Sequence, residues 1–155
     1  MTDQPSVQDQ FAPQLRCFGC GPANPDGLQI KSYLDGEVLR CIWRPEPHHE
    51  AYPGMLNGGI VGALLDCHCN WAAALHLMRR DEAAHPPCTV TASYTVKLRR
   101  PTPTDVSIQL SATVVENGED KVVIEGHLEA SGKVCASFTG TFVAVKPGHP
   151  AYHRW

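Results

Sequence analysis

From Gly58 to Met78 nearly every residue is apolar or small, and a single side chain in that run, Asp66, is formally charged. The length suits one helix of about 30 Å. A helix that is apolar on all sides must be enclosed by protein or by lipid. Lipid is disfavoured because Asp66, His68, Asn70 and His76 would be costly in a bilayer. The charged run Arg79-Arg80-Asp81-Glu82 returns the chain to water. Upstream the period shortens: Leu28–Leu34, the turn Asp35-Gly36 and Glu37–Trp43 read as a β-hairpin. Downstream, four segments rich in Thr, Val and Ile (89–98, 105–116, 120–131 and 133–145) read as strands. Asn117-Gly118 and Ser131-Gly132 mark the turns between the last three. Two strands, a long buried helix and four strands predict an α+β domain in which an antiparallel sheet curls around that helix.

The ends and connections are less patterned. Residues 1–16 carry two prolines and four glutamines with little periodicity and read as a flexible arm. Gly19–Gly27 is turn-rich, and Arg44–Gly54 is a loop of prolines and histidines. The domain is expected over 17–147, followed by a tail over 148–155.

A chain of 155 residues with 43% hydrophobic content can bury a core in one domain without disulfides. The formal charge of -3, with no block of like charge, excludes an electrostatic footprint for nucleic acid or a membrane surface. The first residues have neither a basic nor an apolar stretch of signal-peptide type, so a cytoplasmic location is expected. The partner is then a small molecule or another subunit. Seven cysteines are an odd number, and Cys67, Cys69 and Cys135 fall in regular apolar segments, so reduced thiols are expected. Cys17 and Cys20 form a lone C-x-x-C; no second pair follows, and Cys88 is too isolated to complete a metal site by spacing alone. No metal or separate cofactor is expected.

Asp66 is the candidate for chemistry. A carboxylate between Leu64-Leu65 and Cys67 is costly to bury unless it is paired or has work to do. Eight residues upstream, Asn57-Gly58-Gly59 reads as a helix N-terminus whose first amides are uncovered by side chains, leaving room for a ligand carbonyl. Asn70 lies one turn beyond Asp66, placed to hold an attacking water or to cap a polar network. Lys97, Arg99 and Arg100 cluster at the end of the third expected strand.

The segment Glu50–Asp66 (EAYPGMLNGGIVGALLD) resembles the signature of hot-dog-fold thioesterases of the phenylacetate-pathway and mammalian thioesterase-superfamily types. Thr91–Pro103 and Cys17–Leu28 resemble further segments of the same families, in the same order. The resemblance implies a hot-dog fold and hydrolysis of an acyl-CoA thioester, with Asp66 as nucleophile or general base and the Gly58 amide polarising the carbonyl. Thr91 would assist, Gly59 would border the ligand, and Lys97, Arg99 and Arg100 would face the coenzyme A phosphates. Eight helical residues span about 12 Å, so Gly58 and Asp66 of one subunit are too far apart to share a group; a dimer, often a dimer of dimers in these families, brings one subunit's Gly58 to the other's Asp66. One departure stands out: Asn57 occupies the place of the usual His, and an Asn donates a hydrogen bond without titrating. A non-catalytic acyl-CoA or acyl-carrier binding domain is therefore the alternative. A hydratase or dehydratase would need a catalytic His that no motif places.

Overall fold

The structure, a computed structural model, describes residues 3–155. Its centre is a helix, α2 (Gly58–Arg80), preceded by a short helix α1 (Val7–Phe11). Around α2 runs a six-stranded antiparallel sheet of β1 (Tyr33–Asp35), β2 (Val38–Trp43), β5 (Thr89–Leu98), β6 (Ile108–Asn117), β7 (Lys121–Ala130) and β8 (Lys133–Ala144). The strand order is β1-β2-β6-β7-β8-β5, so β5 is an edge strand. A separate two-stranded ribbon, β3 (Glu50–Tyr52) with β4 (Met55–Leu56), follows a 3-10 turn at Pro47–His49 in the proline-histidine loop.

The pattern of burial explains the arrangement. α2 packs against β5, β6, β7 and β8 and also meets β2. Leu64, Leu65, Trp71 and Leu77 of the helix meet Ile108, Leu110, Ile124, Leu128, Phe138 and Phe142 of the sheet in one core. Each such side chain contributes about 2 kcal/mol by leaving water. The helix is delimited at both ends. Asn57 is the N-cap, its Oδ1 accepting from the Ile60 amide at 3.1 Å. At the other end Arg79 and Arg80 suit the negative pole of the helix dipole. Arg80 also donates to Asn117 Oδ1 at 3.0 Å and to the Glu119 carbonyl at 2.6 Å, tying the helix end to the β6–β7 turn. Among the described residues no helix is long and apolar enough to cross a membrane.

Three expectations are revised. The first strand was expected from Leu28, but β1 begins at Tyr33. Leu28 and Ile30 are instead drawn into the core, with their amides bonded to the carbonyls of Phe18 (2.7 Å) and Gly19 (3.1 Å). Gln29 between them takes a positive φ of 55°, which no strand accommodates.

Nor is the stretch before Cys17 a loose arm, apart from Met1 and Thr2, which lie outside the described residues. Ser6 caps α1, and Val7, Ala12 and Leu15 are buried. Gln8, fully buried, receives the Ser32 amide on its Oε1 at 2.8 Å and donates through Nε2 to Ser32 Oγ at 3.0 Å. The tail also docks: Trp155 stacks on Trp71 with ring centroids 4.6 Å apart and donates to the Pro86 carbonyl at 3.2 Å.

Candidate active site

Asp66 sits in the third turn of α2, half-buried and facing β5. The Thr91 hydroxyl donates to its Oδ1 at 2.7 Å. The pairing of β5 with β8 shifts between Thr91 and Ser93, a bulge at Ala92 of the kind that re-aims a neighbouring side chain. Burial raises the Asp66 pKa above the usual carboxylate range; the Thr91 hydrogen bond opposes this, Cys17 adds to it, and the Arg154 charge opposes it. Asp66 is thus a carboxylate with one oxygen engaged and a cation of the tail within electrostatic reach. Nothing in the sequence near Arg154 signals that role, because it depends on Trp155 docking 84 positions along the chain from Trp71.

The start of α2 is open. Among the described residues the Gly58 and Gly59 amides have no hydrogen-bond partner, whereas the Ile60 and Val61 amides bond to Asn57. Both glycines are exposed. A Cβ on Gly59 would lie 2.9 Å from Asn57 Oδ1 and displace the cap; one on Gly58 would lie 3.3 Å from Leu98 Cδ1. Glycine therefore preserves both the cap and the access. Asn57 has its side-chain oxygen committed to the cap, which leaves its NH2 group as the polar end free for a ligand.

The other expected residues divide. Asn70 turns inward: its Oδ1 accepts from the Thr89 hydroxyl at 2.6 Å and its Nδ2 donates to the Thr89 carbonyl at 3.3 Å. The ligand-facing role is not what this residue does here; it caps a buried polar network, because Thr89 lies opposite it at the start of β5. Lys97, Arg99 and Arg100 are exposed together at the far end of β5. Arg99 donates to Ser137 Oγ and Arg100 to the Val134 carbonyl at 3.1 Å, both through Nε, so the outer guanidinium nitrogens stay available.

Neither His49 nor His68 belongs to the site. His49 closes the Pro47–His49 turn, its Nδ1 accepting from the Glu46 amide at 2.9 Å. Two clefts of about 390 and 380 Å3 open elsewhere on the chain, beside Ala72–Arg80 and beside Trp43–His49, and neither is lined by Asp66 or Gly58.

No protein-family model and no curated protein matches the sequence. Solved structures do match. A thioesterase superfamily protein from Shewanella loihica is 31% identical, with 81% of this chain and 98% of that chain covered and a TM-score of 0.66. A phenylacetic acid degradation-related protein from Ralstonia eutropha, described as a putative thioesterase, is 20% identical over 86% of this chain and 98% of that one, with a TM-score of 0.68. The PaaI protein of the E. coli phenylacetic acid degradation operon is 16% identical over 77% and 81%, with a TM-score of 0.65. These last two establish likeness of fold. The helix-wrapped antiparallel sheet and the first match together define the class: the chain belongs to the thioesterase superfamily and has its hot-dog fold.

Proposed function

We propose that the protein hydrolyses an acyl-CoA thioester to a free carboxylic acid and coenzyme A. The observation that carries this is the pair Asp66–Thr91, a half-buried carboxylate oriented by a 2.7 Å hydroxyl bond on the central helix of a thioesterase-superfamily fold. Water adds across the C–S bond: a C–O bond forms, the C–S bond breaks, and the departing sulfur takes a proton. Asp66 drives this either by removing the proton from the attacking water or by attacking the carbonyl itself and being released by water. The free amides of Gly58 and Gly59 stabilise the oxyanion, and as backbone donors at a helix N-terminus they need little reorganisation to do so.

The two halves of this machinery belong to different subunits. Within α2 the eight residues from Gly58 to Asp66 span about 12 Å, so one subunit's glycine amides serve its partner's Asp66. An exposed edge supports such an assembly: β5 lacks a second neighbour among the described strands and exposes Tyr94 and Leu98. A homodimer, paired again into a tetramer, covers these groups. Lys97, Arg99 and Arg100 would then meet the coenzyme A phosphates, and Lys97→Ala is expected to raise KM more than it lowers kcat.

The test is thiol release from short, medium, long and aromatic acyl-CoAs by wild type and Asp66→Ala, with the background of the seven cysteines subtracted. Turnover by wild type that falls at least about a hundredfold in the variant supports the assignment. Label found in Asp66 after a single turnover in heavy-oxygen water would identify it as the nucleophile, with water attacking the Asp66 carbonyl of the mixed anhydride. One observation favours a second reading: Asn57 stands where a titratable group is usual and spends its oxygen on the helix cap. Wild type that binds acyl-CoA without ever cleaving it would make the protein a binding domain.

A further inference from the structure

The fold gathers three thiols that are distant in sequence. Cys17 and Cys20, in the turn-rich segment after α1, meet Cys67 of α2, and the three sulfurs lie within 4.8 Å of one another. Cys17 Sγ and Cys67 Sγ are 3.7 Å apart. That is far beyond a disulfide bond of about 2.05 Å. It matches the spacing of about 3.8 Å set by two Zn–S bonds of about 2.3 Å at a tetrahedral angle.

The surroundings also offer the cluster a hydrogen-bond donor. Trp71 Nε1 donates to Cys20 Sγ at 3.3 Å. Such donors orient and tune metal-bound thiolates in the shell around a metal. The turn is shaped to deliver the sulfurs. A Cβ on Gly19 would fall 2.3 Å from Cys67 Sγ, and one on Gly21 would fall 2.4 Å from both the Cys17 nitrogen and the Leu15 carbonyl oxygen.

We propose that Cys17, Cys20 and Cys67 form a three-thiolate site for Zn2+ that clamps the N-terminal segment to the central helix. The fourth position is left to water or to an added ligand, the ligand count of catalytic zinc sites and one fewer than closed structural sites use. Charge favours zinc over monovalent copper: three thiolates with Zn2+ leave one net negative charge beside Asp66, and with Cu+ they leave two. The clamp is structural and does not take part in the hydrolysis proposed above.

The experiment uses the full chain, reduced and stripped of metal by chelation. Titration with Co2+ is expected to give one ion per chain with a thiolate-to-metal charge-transfer band, and Zn2+ is expected to abolish the band and release protons. Bound Zn2+ should protect Cys17, Cys20 and Cys67 from alkylation, mapped by mass, while leaving the rate at other cysteines unchanged. Cys67→Ala should weaken binding at least about a hundredfold, and Cys88→Ala should leave it intact. The mapping in wild type keeps the test decisive if a variant fails to fold. Absence of stoichiometric binding, protection of a different set of cysteines, or metal-free protein isolated with two of these thiols joined as a disulfide would overturn the proposal.

Discussion

Two polar residues stand two positions apart on α2, and the helix turns them to opposite sides. His68 is completely buried and completely satisfied: its Nε2–H donates to the Leu39 carbonyl at 2.9 Å, and its Nδ1 accepts from Ser32 Oγ at 2.8 Å. Burial holds its pKa down to about 4, so it stays neutral, and with Gln8 and Ser32 it forms a closed chain of hydrogen bonds latching α1 to the core. Asp66 is half-buried, with one hydrogen bond, from Thr91. One face of the helix uses its polar residue to hold the fold, and the other leaves a charged group with capacity to spare. A buried polar group is therefore read by its unfilled valences more than by its burial.

The comparison breaks most sharply with Asp66→Ala. Turnover should fall at least about a hundredfold, while the melting temperature stays level or rises, since a carboxylate that is costly to bury has been removed. A variant that melts far below wild type would place Asp66 with His68 among the structural residues. The mirror experiment is His68→Leu. It leaves the Ser32 hydroxyl proton without its acceptor and the Leu39 carbonyl without the histidine donor, and denaturant unfolding should show a loss of about 2–3 kcal/mol. Turnover per folded molecule should be kept; a loss of kcat in protein shown to be folded would bring His68 into the chemistry.

Thr91→Val tests the single bond on the active face. A hydrogen bond to a charged group is worth about 1.5–3 kcal/mol, so kcat should drop about ten- to a hundredfold if that bond is needed in the transition state. An unchanged kcat would make Thr91 an ordinary strand residue. The smallest effect belongs to Asn57→Ala, which removes the cap of α2 and should cost about 1 kcal/mol of stability. If kcat also falls, the Asn57 NH2 group contributes to binding the carbonyl as well as to the helix.

Much of the fold was legible in the chain. The apolar run from Gly58 predicted α2 to within two residues of its end at Arg80, and β5 follows the expected segment 89–98. Both elements are long and strongly periodic, and their periodicity is a local property. Asp66 stood out for the same reason, being the one charge in the apolar run from Gly58 to Met78. The role of Asn70 was not legible: whether an amide inside a helix faces a ligand or a neighbouring strand depends on what lies opposite, and here that is Thr89.

Residues 6–15 show the limit from the other side. Their composition is that of a loose segment, yet Gln8 is among the most buried side chains because Ser32 and His68 wait for it. The sequence alone thus determined the central helix, the four strands that follow it and the one charge within its apolar run, all of which follow from residues near one another in the chain. Only the tertiary structure decided which polar groups are satisfied, how the first residues pack and that Cys67 joins Cys17 and Cys20. Those outcomes rest on contacts between residues 19 to 50 positions apart, for which a single sequence carries no local signal.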